Sequence, residues 1–190
     1  MIVLGSGGHT AEMFELLRGL DVTRYTHRSY IVSSGDAFSA QKAQEFEKAL
    51  EVKHSRIHGA YDIAVVPRAR EIHQSLLTTP FSSLMCLRSC LGLLRKPELA
   101  RERLTYPDVI ITNGPGTGVI VVLASYLVRF LGARSTEGKM RTVYVESWAR
   151  VRRLSLSGKL LLYLVNRFIV QWDALAKPTR SRAEYLGVLV

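Results

Sequence analysis

The sequence predicts an α/β fold in which a doubly wound parallel sheet forms a single domain over residues 1–190. Short apolar runs rich in β-branched residues alternate with helical patterns along the chain, which is typical of parallel strands joined by crossover helices. The 190 residues, 47% of them hydrophobic, are enough to bury a full core without disulfides or metals. Glycine-rich turns follow two of the predicted strands, and open sheets of this class bind ligands at the carboxyl ends of their strands.

The first half of the chain contains three predicted strand–helix pairs. A short apolar strand precedes glycines and a helix, a second strand precedes a charged helix, and a third precedes a long helix with apolar periodicity. Pro80 lacks a backbone N–H and predicts a bend in that long helix. In chain order the elements are strand Ile2–Leu4, helix Thr10–Gly19, strand Tyr30–Ser33, helix Ala37–Leu50, strand Val52–Ile57 and helix Ile72–Leu94.

The second half continues the alternation. A buried strand after Asp108 is followed by a Gly-Pro-Gly loop and an apolar helix, and two shorter strands enclose a last helix. The stretch Gly132–Met140 is rich in glycine and polar residues and is the best candidate for a mobile surface loop. The elements are strand Val109–Thr112, helix Val119–Leu131, strand Thr142–Val145, helix Ser157–Val165 and strand Phe168–Val170.

The charge balance is strongly basic, because 26 Lys and Arg against 16 Asp and Glu give a net charge of +10. Such an excess favours nucleic acid, anionic lipid or phosphorylated substrates as partners, without choosing among them. The two cysteines, Cys86 and Cys90, lie one helical turn apart, which suits neither a structural disulfide nor a metal site. A reducing, cytosol-facing location is the simpler interpretation.

Two apolar runs, Val119–Leu131 and Leu160–Val170, are shorter than the roughly 20 residues that a membrane-spanning helix needs. No signal peptide is visible, because Met1 is followed at once by a predicted strand. The chain as given is therefore expected not to cross a membrane, whereas contact with a membrane surface stays open.

The loop GSGGHT over residues 5–10 joins the first strand to the first helix. It begins like the dinucleotide fingerprint GxGxxG, but Thr10 replaces the third glycine, and the GK[ST] ending of a phosphate-binding Walker loop is missing. Its glycines permit close approach of an anion to the positive end of a helix, and a plain turn without a ligand is the alternative. His9 is either a general base or a loop histidine that only donates a hydrogen bond.

Two further loops follow strands. Residues Thr112–Gly118 form a second glycine-rich turn, for which contact with the same ligand and helix-capping and turn chemistry are equally good explanations. Glu146 ends an apolar strand, where ligand contacts are expected, and Arg150, Arg152 and Arg153 follow it. These arginines could clamp a pyrophosphate, and a solvated basic face is the alternative.

The three loops, in this order, resemble the Alg14 family, the membrane-anchoring subunit of the two-part transferase that adds the second N-acetylglucosamine to dolichyl pyrophosphate. The matching stretches are GSGGHTAEM, TNGPGTG, YVESWARVRRLSLSGKLLLYL, RFIVQW and EYLGVLV. The resemblance implies a Rossmann-like domain equivalent to the N-terminal, acceptor-binding half of a GT-B glycosyltransferase. The donor-binding half would be a separate Alg13 subunit, and no metal or other cofactor is implied.

The resemblance also implies the site. His9 and Glu146 are the expected catalytic residues, and the base is one of them or a residue of the partner. The acceptor hydroxyl is expected to displace UDP in a metal-independent, inverting reaction, and the subunit is expected to be inactive alone. The residues expected to bind the acceptor pyrophosphate are Ser6, Gly7, Gly8, Thr10, Asn113, Gly114, Gly116, Arg150 and Arg152.

The implied location is the cytosolic face of the endoplasmic reticulum membrane. The expected partners are the Alg13 subunit, the dolichol-linked acceptor, the membrane surface and other early dolichol-pathway enzymes. The apolar ending EYLGVLV makes residues 174–190 a docking segment for the partner subunit. Family members carry an N-terminal anchor, whereas this chain begins at the first strand. Either the anchor has been removed, or anchoring relies on a partner or on basic and apolar surfaces, for which Leu156–Val170 is the candidate and a core helix with a strand the alternative.

Two other functions compete with a transferase subunit. A non-catalytic scaffold would keep the glycine loops only as structure. A basic, Rossmann-like domain that binds phosphate or nucleic acid would explain the charge, but no aromatic-interleaved basic stretch, zinc pattern or helix-turn-helix pattern supports it. No nucleic-acid partner is therefore expected.

Overall fold

A computed structural model describes residues 1–54, 59–71, 74–75, 77–95, 106–114, 116–131, 136–179 and 182–190. The strands are β1 Ile2–Val3, β2 His27–Ser33, β3 Ala60–Val66, β4 Val109–Thr112, β5 Arg141–Val145, β6 Arg167–Val170 and β7 Ala183–Tyr185. The helices are α1 Gly8–Leu16, α2 Ala37–Lys53, α3 Thr79–Arg95, α4 Thr117–Phe130, α5 Leu156–Leu161 and α6 Asp173–Ala176. The seven strands form one parallel sheet in the order β3-β2-β1-β4-β5-β6-β7, which confirms the predicted doubly wound, Rossmann-like fold.

Helices cover both faces of the sheet, because successive strand residues point to opposite sides. In β1, Ile2 packs in a cluster with Met13 of α1 and Ala43 of α2. The next residue, Val3, packs in a different cluster, with residues of α3 and α4. A third cluster joins α4 to α5 and to β5 and β6. The chain therefore buries α1 and α2 on one face and α3, α4 and α5 on the other.

A buried ion pair ties α2 to β2. The guanidinium of Arg28 donates to both carboxylate oxygens of Glu47, at 2.7 and 2.6 Å, and both side chains are almost fully buried. The Tyr30 hydroxyl donates to the same carboxylate at 2.6 Å. Because a bidentate pair with a further donor satisfies the carboxylate oxygens, the two charges are tolerated inside the fold.

The third strand lies later in the chain than the sequence predicts. Val52 and Lys53 are the last two residues of α2, so the predicted strand Val52–Ile57 is wrong for these residues, and residues 55–57 lie outside the described part. The strand in that place in the sheet is Ala60–Val66, which pairs with β2 along its length. The segment extends the helix and does not form a strand, because Leu50 is buried on the same helix face as Ala43 and Glu47.

The long helix predicted from Ile72 is shorter, and Pro80 does not bend it. Helix α3 begins at Thr79, so Pro80 occupies the first turn, where its missing N–H costs nothing. Residues 72, 73 and 76 lie outside the described part, and residues 74–75 are not helical. Pro80 therefore marks the start of the helix.

Two other predictions need correction. Helix α5 ends at Leu161, earlier than the predicted Val165. In the predicted mobile loop Gly132–Met140, residues 132–135 lie outside the described part, but Thr136 and Met140 are buried. Met140 reaches the core that α3 and α4 share, so this end of the stretch is anchored.

Strand β1 is the point at which the strand order reverses, with β2 on one side and β4 on the other. The loops after β1, β4 and β5 therefore meet at one edge of the sheet, where open α/β sheets place their ligands. Within the described ranges, no helix is both long enough and apolar enough to cross a membrane.

Candidate functional site

The two glycine-rich loops touch through their main chains. A Cβ atom on Gly114 would lie 3.0 Å from the Cα of Gly5, and one on Gly5 would lie 3.2 Å from the Cα of Gly114. The Gly5 Cβ would also lie 2.7 Å from the Cβ of His9. Glycine is therefore required at both positions so that the loops after β1 and β4 can meet at the reversal point of the sheet.

The start of α1 offers backbone N–H groups without a side-chain cap. Gly7 is the N-cap with a φ of 62°, which glycine adopts without strain, and no side chain of the described residues caps the helix. Ser6, Gly7 and Gly8 are exposed, and a Cβ on Gly8 would meet nothing within 4 Å. An uncapped, exposed helix N-terminus with glycines suits an anionic group.

Thr10 has a different environment from its neighbours in the loop. It is fully buried, and its hydroxyl bonds to the carbonyl of Gly5 and, at 2.6 Å, to Ser39. Its backbone N–H donates to Gly7 at 3.1 Å. Because its polar groups already have partners, Thr10 holds the loop against α2, and its predicted role as a phosphate ligand stays a prediction.

Glu12 lies where three strand-end loops converge. Its Oε1 accepts from the Ser147 hydroxyl at 2.8 Å, and its Oε2 lies 3.4 Å from Nδ2 of Asn113 and 3.6 Å from Nδ1 of His9. These residues belong to α1 and to the loops after β4 and β5. The side chain of Glu12 is only 10% exposed, so the carboxylate is held by these neighbours.

Asn113 and His9 each carry a buried polar atom that has no hydrogen-bond partner among the described residues. Nδ2 of Asn113 donates to the His9 carbonyl at 2.7 Å, but its Oδ1 accepts no hydrogen bond from the described residues. Nδ1 of His9 is likewise buried without a hydrogen bond to them, although 34% of the side chain is exposed. The exposed part of the imidazole therefore lies away from Nδ1.

Glu146 is buried and holds the loop that follows β5. The side chain is 1% exposed, and its Oε2 accepts from the backbone and the hydroxyl of Ser155, both at 3.0 Å. Ser155 is the N-cap of α5, and a Cβ on Gly158 would lie 2.1 Å from the same carboxylate oxygen. Glu146 thus caps a helix start, where a negative charge is favourable. Its predicted catalytic role stays a prediction.

Burial and the Glu146 charge also act on a neighbouring phenol. Tyr144 lies under the same loop, with its hydroxyl 3.2 Å from Ser155 and 3.5 Å from Glu146. Burial, followed by the nearby carboxylate, raises the pKa of Tyr144 above its ordinary range.

The loop between Glu146 and Ser155 is basic and exposed. Arg150 and Arg152 are exposed, as is Arg153, and none of them forms an ion pair with another described residue. Gly114 and Gly116 lie at the end of β4, and Gly116 is the N-cap of α4 with a φ of 49°. Free guanidinium groups at this edge of the sheet suit phosphate recognition.

A groove of about 530 Å³ runs beside this site. One side is the face of α1 formed by residues at helical spacing, and the other is formed by two tryptophans and the end of the chain. Its lining residues are Gly8, Ala11, Glu12, Glu15, Trp148, Trp172, Val188 and Val190. Nε1 of Trp172 donates to the Trp148 carbonyl at 2.5 Å, and the backbone N–H of Leu189 donates to Gln171 at 3.0 Å, so the wall opposite α1 is held by hydrogen bonds.

Most of the predicted site residues meet at one edge of the sheet, where three residues that were not predicted join them. His9, Asn113 and the residues around Glu146 come together, whereas Thr10 and the Glu146 carboxylate face inward. Glu12, Trp148 and Trp172 were not predicted. Glu12 lies three residues after His9, on the same face of α1, and that spacing is the signal that could have identified it.

Comparison with known proteins gives consistent matches. A family model described as "Oligosaccharide biosynthesis protein Alg14 like" matches residues 1–189. Among curated proteins, the UDP-N-acetylglucosamine transferase subunit alg14 of Schizosaccharomyces pombe is 43% identical, over 100% of this chain and 82% of its own length. The subunit of the same name from Aspergillus fumigatus is 41% identical, over 94% of this chain and 100% of its own. The human UDP-N-acetylglucosamine transferase subunit ALG14 is 37% identical, over 100% of this chain and 82% of its own length. No solved structure matches significantly.

Proposed function

The chain belongs to the Alg14-like family of oligosaccharide biosynthesis proteins, and from this premise we propose that it is the acceptor-presenting subunit of a two-part UDP-N-acetylglucosamine transferase. Its acceptor is N-acetylglucosaminyl-pyrophosphate-dolichol. Its partner is the Alg13 subunit, which binds the sugar nucleotide, and together they form a GT-B type enzyme at the cytosolic face of the endoplasmic reticulum. The chain alone is inactive.

One observation carries the proposal: a helix start without a cap from the described side chains, an imidazole that is one-third exposed, and arginines without an ion pair to the described residues share one edge of the sheet. The exposed N–H groups of Ser6, Gly7 and Gly8 receive the acceptor phosphates, and Arg150 and Arg152 neutralise their charge. Asn113, Gly114 and Gly116 support the loops behind them. This arrangement leaves the acceptor sugar beside His9.

His9 acts as the general base in the reaction. Its exposed ring nitrogen takes the proton from the acceptor hydroxyl as the oxygen forms a bond to the anomeric carbon of the donor. The bond from that carbon to UDP breaks, UDP leaves with the electron pair, and the configuration is inverted. A positioned base contributes typically ~10²–10⁴-fold to such a rate. Glu146 stabilises the basic loop through its hydrogen bonds with Ser155, and a direct role in proton transfer is the alternative.

The partner subunit docks on the groove between α1 and the end of the chain. Its tryptophans and valines form a mostly apolar surface, and Tyr185, Leu186, Val188 and Leu189 are exposed beside it. This puts residues 174–190 at the interface, with an apolar segment of the partner as the occupant. Deletion of Val188–Val190 should abolish co-purification of the partner, whereas Phe130→Asp, an exposed apolar residue on α4, should leave it unchanged.

The membrane surface lies against α5. Leu156, Leu160 and Tyr163 are 72%, 54% and 66% exposed and follow one another at helical spacing. The segment 148–163 contains four Arg and Lys and no acidic residue. An apolar stripe with flanking cations fits an anionic lipid surface. Leu156→Glu with Leu160→Glu should reduce flotation with phosphatidylserine vesicles, and Phe130→Glu should not.

The deciding experiment is a transfer assay with UDP-N-acetylglucosamine and an N-acetylglucosaminyl-pyrophosphate-lipid. It is run with this chain alone, with the donor-binding subunit alone and with both. Activity only in the mixture is the expected result, and a His9→Gln chain should lower kcat in that mixture without loss of complex formation. A folded wild-type pair without activity would reject the transferase function. Full activity with the His9 variant would favour a scaffold.

A further inference from the structure

We infer that Glu12 is the positioning residue for His9, fixing its ring so that Nε2 is the nitrogen that accepts the proton. This inference rests on the proposed role of His9 and adds a residue that the three predicted loops do not contain. The carboxylate oxygen Oε2 lies 3.6 Å from Nδ1, on the buried side of the imidazole. A carboxylate only accepts hydrogen bonds, so the neutral ring keeps its proton on Nδ1 when it faces Glu12.

The distance of 3.6 Å is longer than a hydrogen bond, and the neighbours of Glu12 explain how it can shorten. The Ser147 hydroxyl at 2.8 Å and Nδ2 of Asn113 at 3.4 Å hold the carboxylate from the loops after β5 and β4. A small rotation of the imidazole is then sufficient, and such contacts commonly tighten when substrate binds. Nδ1 gains the partner that it lacks in this structure.

The position of Glu12 also favours the product of proton transfer. When His9 accepts the proton from the acceptor hydroxyl, the ring becomes positively charged, and a carboxylate that is 90% shielded from solvent stabilises it. Because α1 places Glu12 one turn after His9, the pair stays aligned without a flexible loop. The same carboxylate contacts Ser147 in the basic loop after β5 and His9 in α1. A shift of that loop when substrate binds would therefore move Glu12 relative to the imidazole.

The test is a double-mutant cycle in the reconstituted complex of this chain with the donor-binding subunit. Glu12→Gln should lower kcat by about 10–100-fold, because the base keeps its proton-accepting nitrogen but loses the group that positions it. KM for both substrates should change less than about twofold. In a His9→Gln background the same substitution should cause no further loss, because residues that act as a unit are not additive. Glu45→Gln, an exposed glutamate on α2, is the control.

Two further measurements keep the inference testable if Glu12→Gln disturbs folding. Ser147→Ala removes one support of the carboxylate and should lower kcat by about three- to tenfold in the wild-type background only. In the complex with this chain labelled, the ¹⁵N shifts of His9, assigned by difference from His9→Gln, should show the Nδ1–H tautomer, which Glu12→Ala should lose. This NMR readout does not depend on transfer activity.

The outcomes separate the inference from the proposed function. A wild-type complex without transfer activity rejects the function, and an active complex in which His9→Gln keeps full kcat rejects the base; either result removes the catalytic part of the inference. If His9→Gln loses activity while Glu12→Gln keeps it, or if the two losses multiply, only the inference fails. An Nε2–H tautomer in the wild-type spectrum would also overturn it.

Discussion

The carboxylate of Glu146 and the N-cap residue Ser155 are joined by two hydrogen bonds of 3.0 Å to one oxygen. They close the basic loop between β5 and α5, which carries Arg150 and Arg152. The carboxylate is 1% exposed, so its replacement is expected to act first on stability, and on catalysis through the loop that it holds. Stability and turnover can therefore be separated at this position.

Glu146→Gln is expected to lower the free energy of unfolding by about 1–3 kcal/mol, because an amide replaces a buried acceptor and leaves the Ser155 donors poorly paired. Urea unfolding of the variant and the wild type measures the difference. Glu184→Gln, which breaks an exposed pair with Arg167, should change it far less. A variant with wild-type stability and a large loss of kcat would instead make Glu146 the base.

Gly8→Ala should weaken acceptor binding without harming the fold. Beyond its neighbours in the helix, the new methyl group would meet no atom of the described residues within 4 Å, and alanine in a helix is favoured over glycine by roughly 0.5–1 kcal/mol. The methyl group would occupy the space in front of the exposed N–H groups, so KM for the acceptor should rise. Steady-state kinetics and urea unfolding check the two effects.

Gly114→Ala, at the contact between the two glycine-rich loops, should in contrast destabilise the fold. Gly114→Ala would place a Cβ 3.0 Å from the Cα of Gly5, a main-chain contact that cannot be relieved by a side-chain rotation. Such overpacking costs about 1–3 kcal/mol, which urea unfolding should report. Equal stability of the Gly8 and Gly114 variants would show that the loops do not depend on this contact.

Arg28→Met should be among the most destabilising single changes. It would leave the Glu47 carboxylate buried without its guanidinium, which typically costs about 3–5 kcal/mol. Lys42→Ala breaks an exposed pair with Glu45 and should cost less than about 1 kcal/mol. Thermal and urea unfolding of both variants measure the contrast, and similar losses would argue against a buried network.

Stability is expected to fall at alkaline pH. Burial, followed by the hydrogen bond with Glu47, raises the pKa of Tyr30, and burial raises that of Tyr144. The folded state then keeps protons that the unfolded chain loses near about pH 10, so the free energy of unfolding decreases as pH rises above that value. Each tyrosine contributes about 1.4 kcal/mol per pH unit there.

Tyr30→Phe should remove one of these two contributions and flatten the decline. Urea unfolding of the variant and the wild type between about pH 8 and 11 gives the slope, and Tyr144→Phe supplies the matched comparison. A slope that neither substitution changes would mean that other groups control the alkaline limb.

The two cysteines should resist modification in the folded chain. Cys86 and Cys90 are 0% and 1% exposed, with their sulfur atoms 4.0 Å apart. The hydrogen bond with Cys86 and burial both raise the pKa of the Cys90 thiol, which disfavours the reactive thiolate. A thiol reagent should modify them at the rate of unfolding. Rapid labelling of the native chain would contradict the buried placement.

The alternation of strands and helices predicted the sheet, and the errors arose where local patterns compete. Residues 52–53 are helical because Leu50 and Ala43 need one buried face, whereas β-branched Val52 alone favours a strand. Strand β3 was missed because its residues are largely exposed at the sheet edge, so no clean alternation marks it. Strand β7 was also not predicted, because it lies at the other edge of the sheet and is only three residues long.

The site was predicted in part for a related reason. Glycines and strand-end residues are visible in the sequence, so the loops around His9, Asn113 and Glu146 could be found. Which polar groups face solvent could not be read from the sequence, because Thr10 and Glu146 are buried by contacts with α2 and α5. The contacts of Glu12 are with Asn113 and Ser147, which lie 101 and 135 residues away in the chain, so they could not be read from local sequence.

The position of β1 has a consequence for synthesis of the protein on the ribosome. The residues of this strand are translated before their partners in β4, which follow 109 residues later in the chain, as the pairing of Ile2 with Ile111 illustrates. At about 5–20 residues per second, the strand waits for roughly 5–20 s before one of its edges is covered. During this interval the unpaired edge of an apolar strand is available to other nascent chains, so the elongation steps between β1 and β4 are where a chaperone would improve the yield.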